Sequence, residues 1–355
     1  MKVIIITGPT GGHFFPGLAI GERLIKNFDV EFFVPERKFI IKNLEIRNFK
    51  YKIIPYVKLT KKNFIFFIFK FFYLIELSIF IFLKKKPDIV IGTGSYVCVP
   101  FVLGAKILNK KIVIHEQNYI PGKATKILAP FVNSIFLTFP NCDKLPKKKC
   151  IITGFPLIFD FYKSYSEQEI RDSLGVNKLK TILVIGGSQG SKFLNNLILK
   201  NLEYFKNKNF QIIHIAGNGK EDVEKKFIEV KIHGKVYDFF YEMNKLYSIA
   251  DYVICRAGSG TLVEIVEKEI PAFLIPYPYA GGHQKKNAEY LEKIGCAFLV
   301  EEKQINDENF PYIFEGFLKK SSSIKENLKK IKLSEKGKIE EFILQLIKKE
   351  KNGIH

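Results

Sequence analysis

The chain has 355 residues, of which 47% are hydrophobic and 26% are charged. This length suits two domains of roughly 150 to 180 residues, and the composition excludes a disordered or fibrous protein. The five cysteines form no C-x-x-C pair, and no histidine cluster lies at metal-ligand spacing from them. Both observations argue against a disulfide framework and a zinc site. The short apolar run after the first lysine lacks the features of a secretory signal, so we expect a protein that is not exported.

The net charge of +20 is distributed unevenly. Residues 1–150 contain 25 basic and 9 acidic residues, a net charge of +16, whereas residues 151–355 contain 31 and 27, a net charge of +4. A basic field on one half of the chain favours an anionic partner, either the cytoplasmic face of a bilayer or a polyanion such as nucleic acid.

The first predicted element is a β-strand, Val3 to Ile6, which runs into a glycine-rich loop and then a helical pattern of apolar residues. Glycines allow the backbone to approach a ligand, and the free N–H groups at the start of a helix attract an anion. The spacing fits neither G-x-x-x-x-G-K-[ST] nor G-x-G-x-x-G, which excludes a P-loop ATPase and a standard NAD site. The alternative is a tight turn that holds no ligand, and His13, which ends the loop, then only caps it.

The next distinctive element is the apolar segment 64–83, with lysines on both sides. Its length fits a membrane span, but Lys70 and Glu76 would each cost about 3 kcal/mol near the bilayer centre. A span would also interrupt the α/β pattern, so we predict one or two helices that pack on the sheet and present an aromatic, lysine-rimmed face to a bilayer surface. A fully buried core helix is the alternative. The predicted membrane contacts are Phe64, Phe67, Phe71, Phe72, Lys84, Lys85 and Lys86.

Three later strands also end in polar or glycine-rich loops. The stretch "KKIVIHEQN" places Glu116 and Asn118 at the carboxyl end of a strand. Ile182 to Ile185 precede "GGSQGS" and a helix, a second copy of the first unit, which predicts two doubly wound α/β domains joined near residues 150–165. In "CRAGSGTLVEI", the T-x-x-E spacing of Thr261 and Glu264 fits either a capping box or a carboxylate that accepts two ribose hydroxyls.

Together, seven stretches of the chain resemble one known family. They are "TGPTGGHFFPGLAI", "KKPDIVIGTGSYVCVP", "HEQNYIPGKATKILA", "TGFP", "GGSQGS", "CRAGSGTLVEI" and "PYPYAGGHQKKNAEYL". Their order and intervals, over residues 7–291, resemble those of the MurG family, the N-acetylglucosaminyltransferases of peptidoglycan synthesis. Single glycine loops are weak signals, whereas the ordered set is specific.

The resemblance implies a GT-B architecture, an α/β fold in which two Rossmann-like doubly wound domains face each other across a cleft. Residues 1–155 would form an acceptor- and membrane-binding domain, residues 156–335 a UDP-GlcNAc-binding domain, and residues 336–355 a helix that returns to the first domain. The implied reaction is inverting transfer of GlcNAc from UDP-GlcNAc to the 4-hydroxyl of MurNAc in undecaprenyl-pyrophosphoryl-MurNAc-pentapeptide. It implies no cofactor, a peripheral location on the cytoplasmic face of the cell membrane, and other wall-synthesis proteins as candidate partners.

The resemblance also implies site residues. The expected UDP-GlcNAc contacts are Thr10, Gly11, Gly12, Asn118, Ser188, Phe240, Ser259, Gly260, Thr261, Leu262, Val263, Glu264 and Gln284. The match favours the ribose interpretation of Glu264. The chain departs from the family after "TG", where Phe155 replaces the usual Asn and Ile158 the usual Arg, which removes an expected donor contact.

The chemistry needs a base for the acceptor's proton and a means of stabilising the departing diphosphate. The sequence contains no D-x-D, so we expect no metal, and amides of the glycine loops and helix dipoles would stabilise that charge. His13 and Glu116 are the candidate catalytic bases.

Two other functions would explain part of the sequence. A glycosyltransferase acting on diacylglycerol would share the fold and the basic membrane face, but the "HEQN" and "GGHQKKNA" stretches argue against it. A nucleic-acid-binding protein would explain the basic half, but it leaves the paired glycine loops unexplained and no aromatic-basic RNA-binding signature is present. We therefore expect no nucleic-acid partner.

Overall fold

The computed structural model describes residues 1–56, 64–187, 190–279, 281–335 and 337–351, with the backbone alone for 64–67 and 347–351. The chain divides into two compact units, Met1–Ile158 with Ser334–His355, and Phe159–Leu333. Each unit is built on its own parallel sheet. The prediction of two doubly wound α/β domains is confirmed.

The first unit has a seven-stranded sheet in the order β3-β2-β1-β4-β5-β6-β7. Its strands are β1 (Lys2–Ile6), β2 (Asp29–Val34), β3 (Lys50–Ile53), β4 (Ile89–Gly92), β5 (Lys111–Glu116), β6 (Ser134–Leu137) and β7 (Cys150–Ile152). The helices between them are α1 (Gly11–Leu24), α2 (Lys38–Ile46), α3 (Phe64–Lys85), α4 (Cys98–Ile107) and α5 (Lys123–Leu128). The central strands are runs of buried Ile and Val because helices cover both faces of a parallel sheet.

The second unit has a six-stranded sheet in the order β10-β9-β8-β11-β12-β13. Its strands are β8 (Lys180–Ile185), β9 (Phe210–Ile215), β10 (Gly234–Tyr237), β11 (Tyr252–Cys255), β12 (Ala272–Leu274) and β13 (Phe298–Leu299). Its helices are α6 (Glu167–Leu174), α7 (Lys192–Lys200), α8 (Leu202–Asn207), α9 (Lys220–Val230), α10 (Met243–Ser248), α11 (Ser259–Lys268), α12 (His283–Lys293) and α13 (Phe310–Leu328). Buried phenylalanines of α8, β12 and α13 contact one another in its core.

Both sheets have a point at which the strand order reverses. In the first sheet the chain moves outward from β1 through β2 to β3 and returns to β4 on the other side of β1. In the second sheet β8 and β11 are related in the same way. The loops that follow such a pair of strands diverge and leave a crevice at the carboxyl edge, where open α/β sheets bind ligands. The two glycine loops follow β1 and β8.

Helix α3 crosses α4 closely. The Ser78 hydroxyl donates to the carbonyl of Ile75 and lies 3.4 Å from the carbonyl of Pro100. A Cβ on Gly104 would lie 1.8 Å from the Ser78 oxygen, so only glycine permits this approach. Within the described ranges, no helix has the length and apolarity needed to cross a bilayer.

The last helix, α14 (Lys338–Lys351), belongs to the first unit. Ile339 and Ile343 are fully buried in the core that also contains α1. Just before the helix, the Glu335 carboxylate accepts from the Ile339 amide at 3.0 Å and pairs with the buried Arg23 guanidinium at 2.6 Å. The Glu335 amide donates to the carbonyl of Phe155 at 2.8 Å. These contacts fix the returning chain on the first unit.

Glu335→Ala should detach α14, because it leaves the Arg23 guanidinium buried without its carboxylate. Breaking a buried pair in this way costs about 3–5 kcal/mol. Hydrogen exchange of the amides of residues 339–346 should accelerate correspondingly. Glu340→Ala is the matched control, since Glu340 makes an exposed hydrogen bond to Asn27 and should change stability by less than about 0.5 kcal/mol. Equal exchange rates in the two variants would show that the buried pair does not hold the helix.

Candidate functional site

The first glycine loop lies at the carboxyl edge of the first sheet, at the reversal between β1 and β4. A Cβ on Gly8 would lie 2.6 Å from the Cβ of Ser95, so glycine is needed for the contact between the loops after β1 and β4. Thr10 is the exposed N-cap residue of α1, and Gly11 and Gly12 form the first turn. A Cβ on Gly12 would meet nothing within 4 Å. The expected ligand residues of this loop are therefore accessible, and first-turn amides can donate to an anion.

His13 is half-buried in the first turn of α1, and its ring is bonded to the loop after β4. Its Nδ1 lies 2.9 Å from the carbonyl oxygen of Thr93. Because a carbonyl can only accept, Nδ1 carries the proton, and the lone pair of the neutral ring is on Nε2. The Thr93 hydroxyl in turn donates to the carbonyl of His13 at 2.7 Å. A ring in this state can accept a proton at Nε2.

The Glu116 carboxylate is buried and accepts four hydrogen bonds. One oxygen accepts from the amide and the side chain of Asn118, at 3.0 and 3.2 Å. The other accepts from the Gly122 amide at 2.8 Å and from the Thr125 hydroxyl at 2.5 Å. These bonds shape the loop after β5 and orient Asn118, so the geometry favours a structural role for Glu116 over the predicted role as a base.

The second glycine loop follows β8. Gly187 and Gly190 both have positive φ, +93° and +76°. A Cβ on Gly190 would lie 2.2 Å from the carbonyl oxygen of Ala216, so glycine is required at this position. Ser191 caps α7 by accepting from the Leu194 amide at 3.3 Å. Ser188, an expected donor contact, lies outside the described residues.

Glu264 lies on α11, the helix after β11. Strand β11 pairs with β8, the strand that precedes the second glycine loop. The helix begins at Ser259 with Gly258 as its N-cap, so Thr261 and Glu264 are inside the helix. The capping-box interpretation is therefore wrong. The Glu264 carboxylate accepts from the Tyr247 hydroxyl at 2.8 Å. Although the side chain keeps some contact with solvent, desolvation by burial raises its pKa to about 7, and the Tyr247 hydrogen bond opposes that rise.

The other residues expected around Glu264 differ in accessibility. Gly260 and Thr261 are partly exposed and Ser259 is buried, all at the start of α11. The side chains of Leu262 and Val263 are fully buried in the core, so only their main chains could contact a ligand.

Gln284 and Phe240 lie on two further loops of this edge. The Gln284 side-chain oxygen accepts from the amides of Ala257 and Tyr277, at 3.1 and 3.0 Å, and so joins the loops after β11 and β12. Phe240 follows β10, where its ring meets that of Tyr237 edge-on at 4.9 Å. The structure thus places Gln284 beside the reversal point and Phe240 at the outer strand of the sheet.

Sequence reasoning missed Arg256, the first residue after β11. Its guanidinium is buried and donates to the Ser191 hydroxyl at 2.7 and 3.1 Å, to the carbonyl of Ile275 at 3.1 Å, and to Glu302 at 2.5 Å. It lies 5.6 Å from the ring centre of Tyr277. Arg256 therefore ties the N-cap of α7 to the loop after β12. Its partners are distant in the sequence, so only the position after a strand could have drawn attention to it.

The outer face of α3 is aromatic. Phe69, Phe72 and Phe80 are 72%, 60% and 67% exposed, so the alternative of a fully buried core helix is wrong. Two of the predicted membrane contacts are only partly exposed. Phe71 is half-buried against the core, and the Lys85 ammonium pairs with Glu31 at 2.8 Å.

The remaining predicted membrane contacts are the two exposed lysines and two phenylalanines near the start of α3. Lys84 and Lys86 are exposed at the end of α3. The side chains of Phe64 and Phe67 lie outside the described part of the chain.

Phe155, where the resembled family has Asn, is buried beside His115. The two rings meet edge-on at 6.1 Å, and burial lowers the pKa of His115 to about 4. Ile158, where the family has Arg, packs partly buried against the core around α1 and α14. Both departures therefore fill the interior of the first unit with apolar side chains. Among the described residues, no three His, Cys, Asp or Glu side chains come together closely enough to hold a metal ion.

Comparison with known proteins identifies the family. The glycosyltransferase family 28 N-terminal domain matches residues 3–137, and the family 28 C-terminal domain matches residues 181–343. The UDP-N-acetylglucosamine–N-acetylmuramyl-(pentapeptide) pyrophosphoryl-undecaprenol N-acetylglucosamine transferase of Halothermothrix orenii is 36% identical, with 92% of each chain covered. The enzyme of the same name from Elusimicrobium minutum is 35% identical over 85% of each chain. The crystal structure of Acinetobacter baumannii MurG has the same fold, with a TM-score of 0.77, 23% identity, and coverage of 98% of this chain and 99% of that one. The chain belongs to the MurG family of glycosyltransferases, within glycosyltransferase family 28.

Proposed function

We propose that the protein transfers GlcNAc from UDP-GlcNAc to the 4-hydroxyl of MurNAc in undecaprenyl-pyrophosphoryl-MurNAc-pentapeptide, with inversion at the anomeric carbon. The relatives' shared name supports this donor and this acceptor. The observation that carries the proposal is the placement of a half-buried carboxylate, Glu264, on α11, the helix that follows β11 at the reversal point of the second sheet.

The second unit supplies the donor contacts in this proposal. Glu264 accepts the two ribose hydroxyls of the nucleotide, and amides at the start of α7 and α11 donate to its diphosphate. Arg256 and Gln284 hold the surrounding loops together through the hydrogen bonds described above. A preorganised set of donors of this kind stabilises the negative charge that develops on the leaving diphosphate. The contacts expected from Thr10, Gly11, Gly12, Asn118, Ser188 and Phe240 stay predictions.

The first unit supplies the base. His13 Nε2 accepts the proton of the 4-hydroxyl as its oxygen attacks the anomeric carbon and the bond to the diphosphate breaks. The proton on Nδ1 stays bonded to the Thr93 carbonyl, which stabilises the ring in its protonated form. We assign Glu116 to shaping the loop after β5, since both of its oxygens are occupied.

The choice of acceptor separates this function from that of a glycosyltransferase acting on diacylglycerol. Radiolabelled UDP-GlcNAc is incubated with the full chain and either the prenyl-pyrophosphoryl-MurNAc-pentapeptide or diacylglycerol, each in the same detergent. We expect label in the MurNAc lipid only. Label in diacylglycerol and none in the MurNAc lipid would contradict the proposed function.

We further propose that the protein associates peripherally with the cytoplasmic face of the cell membrane, where its lipid acceptor lies. The outer face of α3 fits this role because exposed aromatic side chains lie next to Lys84 and Lys86. Aromatic groups enter the boundary between head groups and acyl chains, and lysines attract anionic head groups. Other wall-synthesis proteins are further candidate partners at that surface.

Replacing Phe69, Phe72 and Phe80 together with Ser should release the protein from anionic vesicles. Each ring removed from the interface forfeits the free energy of burying its apolar surface, so we expect at least about tenfold weaker binding in a vesicle sedimentation assay. The triple variant should keep the circular dichroism spectrum of the original protein. Ile228→Ser with Tyr312→Ser is the matched control, because both side chains are highly exposed in the second unit. Unaltered vesicle binding by the α3 variant would rule out this face.

A further inference from the structure

The Thr93 carbonyl oxygen accepts hydrogen bonds from two side chains. His13 Nδ1 lies 2.9 Å away and the Gln117 amide nitrogen 2.8 Å away. Thr93 and Gln117 are both buried, so the geometry of this junction is protected from competing water. Gln117 therefore helps to hold in place the oxygen to which His13 Nδ1 donates.

The surroundings of Gln117 determine which end of its amide faces Thr93. Its nitrogen lies 2.8 Å from the Thr93 carbonyl oxygen, 3.0 Å from the carbonyl oxygen of His115 and 3.2 Å from His115 Nδ1. Two of these three atoms are obligatory acceptors. An amide oxygen in the same place would face two carbonyl oxygens and repel them, so the NH₂ group occupies this position.

The state of His115 is fixed in the same way. Its Nε2 lies 3.2 Å from the carbonyl oxygen of Gly154, which can only accept, so Nε2 carries the proton and Nδ1 has the lone pair. Burial lowers the pKa of His115 to about 4, so the ring is neutral at physiological pH. Its Nδ1 then turns a lone pair toward the Gln117 NH₂ group. A protonated His115 would instead turn a second donor toward the Gln117 NH₂ group.

These bonds form a directed chain that ends at His13. His115 donates to Gly154, Gln117 donates its two N–H groups to the carbonyls of His115 and Thr93, and His13 also donates to the Thr93 carbonyl. The chain leaves the Thr93 oxygen in place as an acceptor, and an acceptor there excludes the His13 tautomer with its lone pair on Nδ1.

We infer that Gln117 is a positioning residue, which holds the Thr93 carbonyl oxygen against His13 Nδ1 and so keeps Nε2 presented as the basic nitrogen. The inference rests on the proposed role of His13 as the base. In the described part of the chain the Gln117 amide bonds to Thr93 and His115 and not to the His13 ring, so it acts through the Thr93 carbonyl. The hydroxyl of Thr93, which donates to the His13 carbonyl, holds the backbone of the same residue.

The tautomer of His13 can be measured without substrate, from the ¹⁵N chemical shifts of the full chain labelled at histidine, with His13 assigned by its absence in His13→Ala. We expect the unmodified protein to have the proton on Nδ1. Gln117→Met removes the donor at similar volume and so frees the Thr93 carbonyl oxygen to move away from His13 Nδ1. It should mix the two tautomers and lower kcat by about tenfold or more, with the KM for UDP-GlcNAc unchanged. Gln168→Met, at a surface side chain bonded to Asp172, should change neither.

A second pair of variants tests the same junction from the Thr93 side. Thr93→Ser keeps the hydroxyl that bonds to His13 and should restore most of the kcat that Thr93→Val loses. A proton on Nε2 in the unmodified protein would overturn the inference, and so would Gln117→Met with unchanged His13 shifts. If Gln117→Met fails to fold, the tautomer of the unmodified protein still decides. If the tautomer is as expected but neither the unmodified protein nor any variant transfers GlcNAc, the proposed function is wrong and the inference about the His13 ring stands.

Discussion

His13→Ala should lower kcat by about 10²- to 10⁴-fold, the usual contribution of a positioned general base. The loss follows because the variant lacks the ring nitrogen that receives the proton of the attacking hydroxyl. The Kd for UDP-GlcNAc should change little, since the donor contacts we assign to Glu264 and its neighbours belong to the second unit. Steady-state kinetics with the prenyl-linked MurNAc acceptor and calorimetric titration with UDP-GlcNAc measure the two quantities.

His233→Ala is the matched control for the loss of an imidazole. His233 is exposed in the second unit, where its ring contacts the Asn177 side chain. The control should retain normal turnover. If His13→Ala also turns over normally, His13 is not the base, and the role of the first glycine loop must be reconsidered.

Glu264→Ala should weaken UDP-GlcNAc binding by about 10- to 100-fold, because hydrogen bonds to a charged group contribute roughly 1.5–3 kcal/mol each. The effect should depend on pH. The carboxyl pKa is raised to about 7 by burial, so at pH 6 most molecules carry a neutral carboxyl, which is the poorer acceptor for ribose hydroxyls. Donor affinity should therefore rise between pH 6 and pH 8 in the original protein. The donor affinity of Glu264→Gln should not change with pH over this range.

Tyr247→Phe is a sharper test of the same site. The Tyr247 hydroxyl donates to the Glu264 carboxylate and lowers its pKa against the effect of burial. Removing that hydroxyl should move the rise in donor affinity to higher pH while leaving the carboxylate in place. Titrations of UDP-GlcNAc across pH 6 to 9 measure the shift. A donor affinity that is independent of pH in the original protein would contradict the assignment of Glu264 to the ribose.

Much of the fold follows from local patterns in the sequence. Strands such as Val3 to Ile6 are continuous β-branched runs followed by glycines, and a parallel sheet covered on both faces requires that pattern. Because the carboxyl ends of such strands meet at one edge, the sequence also predicts where His13 and Glu264 lie. The aromatic outer face of α3 follows from its composition and from the strand that comes directly after it.

Other features depend on contacts between residues far apart in the sequence. The capping-box interpretation of Glu264 failed because α11 begins at Ser259, and the start of a helix depends on backbone geometry that T-x-x-E spacing does not fix. The pairing of Lys85 with Glu31 and the bonds of Arg256 to Ser191 and Glu302 join separate elements. No local pattern encodes these pairs.

The most direct test of the account is the structure of the product formed from UDP-GlcNAc and the prenyl-pyrophosphoryl-MurNAc-pentapeptide. After release of the disaccharide from its lipid, the proton coupling at the GlcNAc anomeric carbon gives the configuration, and correlations across the bond give the linked position. We expect a β bond to the 4-hydroxyl of MurNAc, formed with one UDP released per disaccharide. An α bond, or UDP release that yields only free GlcNAc, would contradict single-displacement transfer to the muramyl lipid.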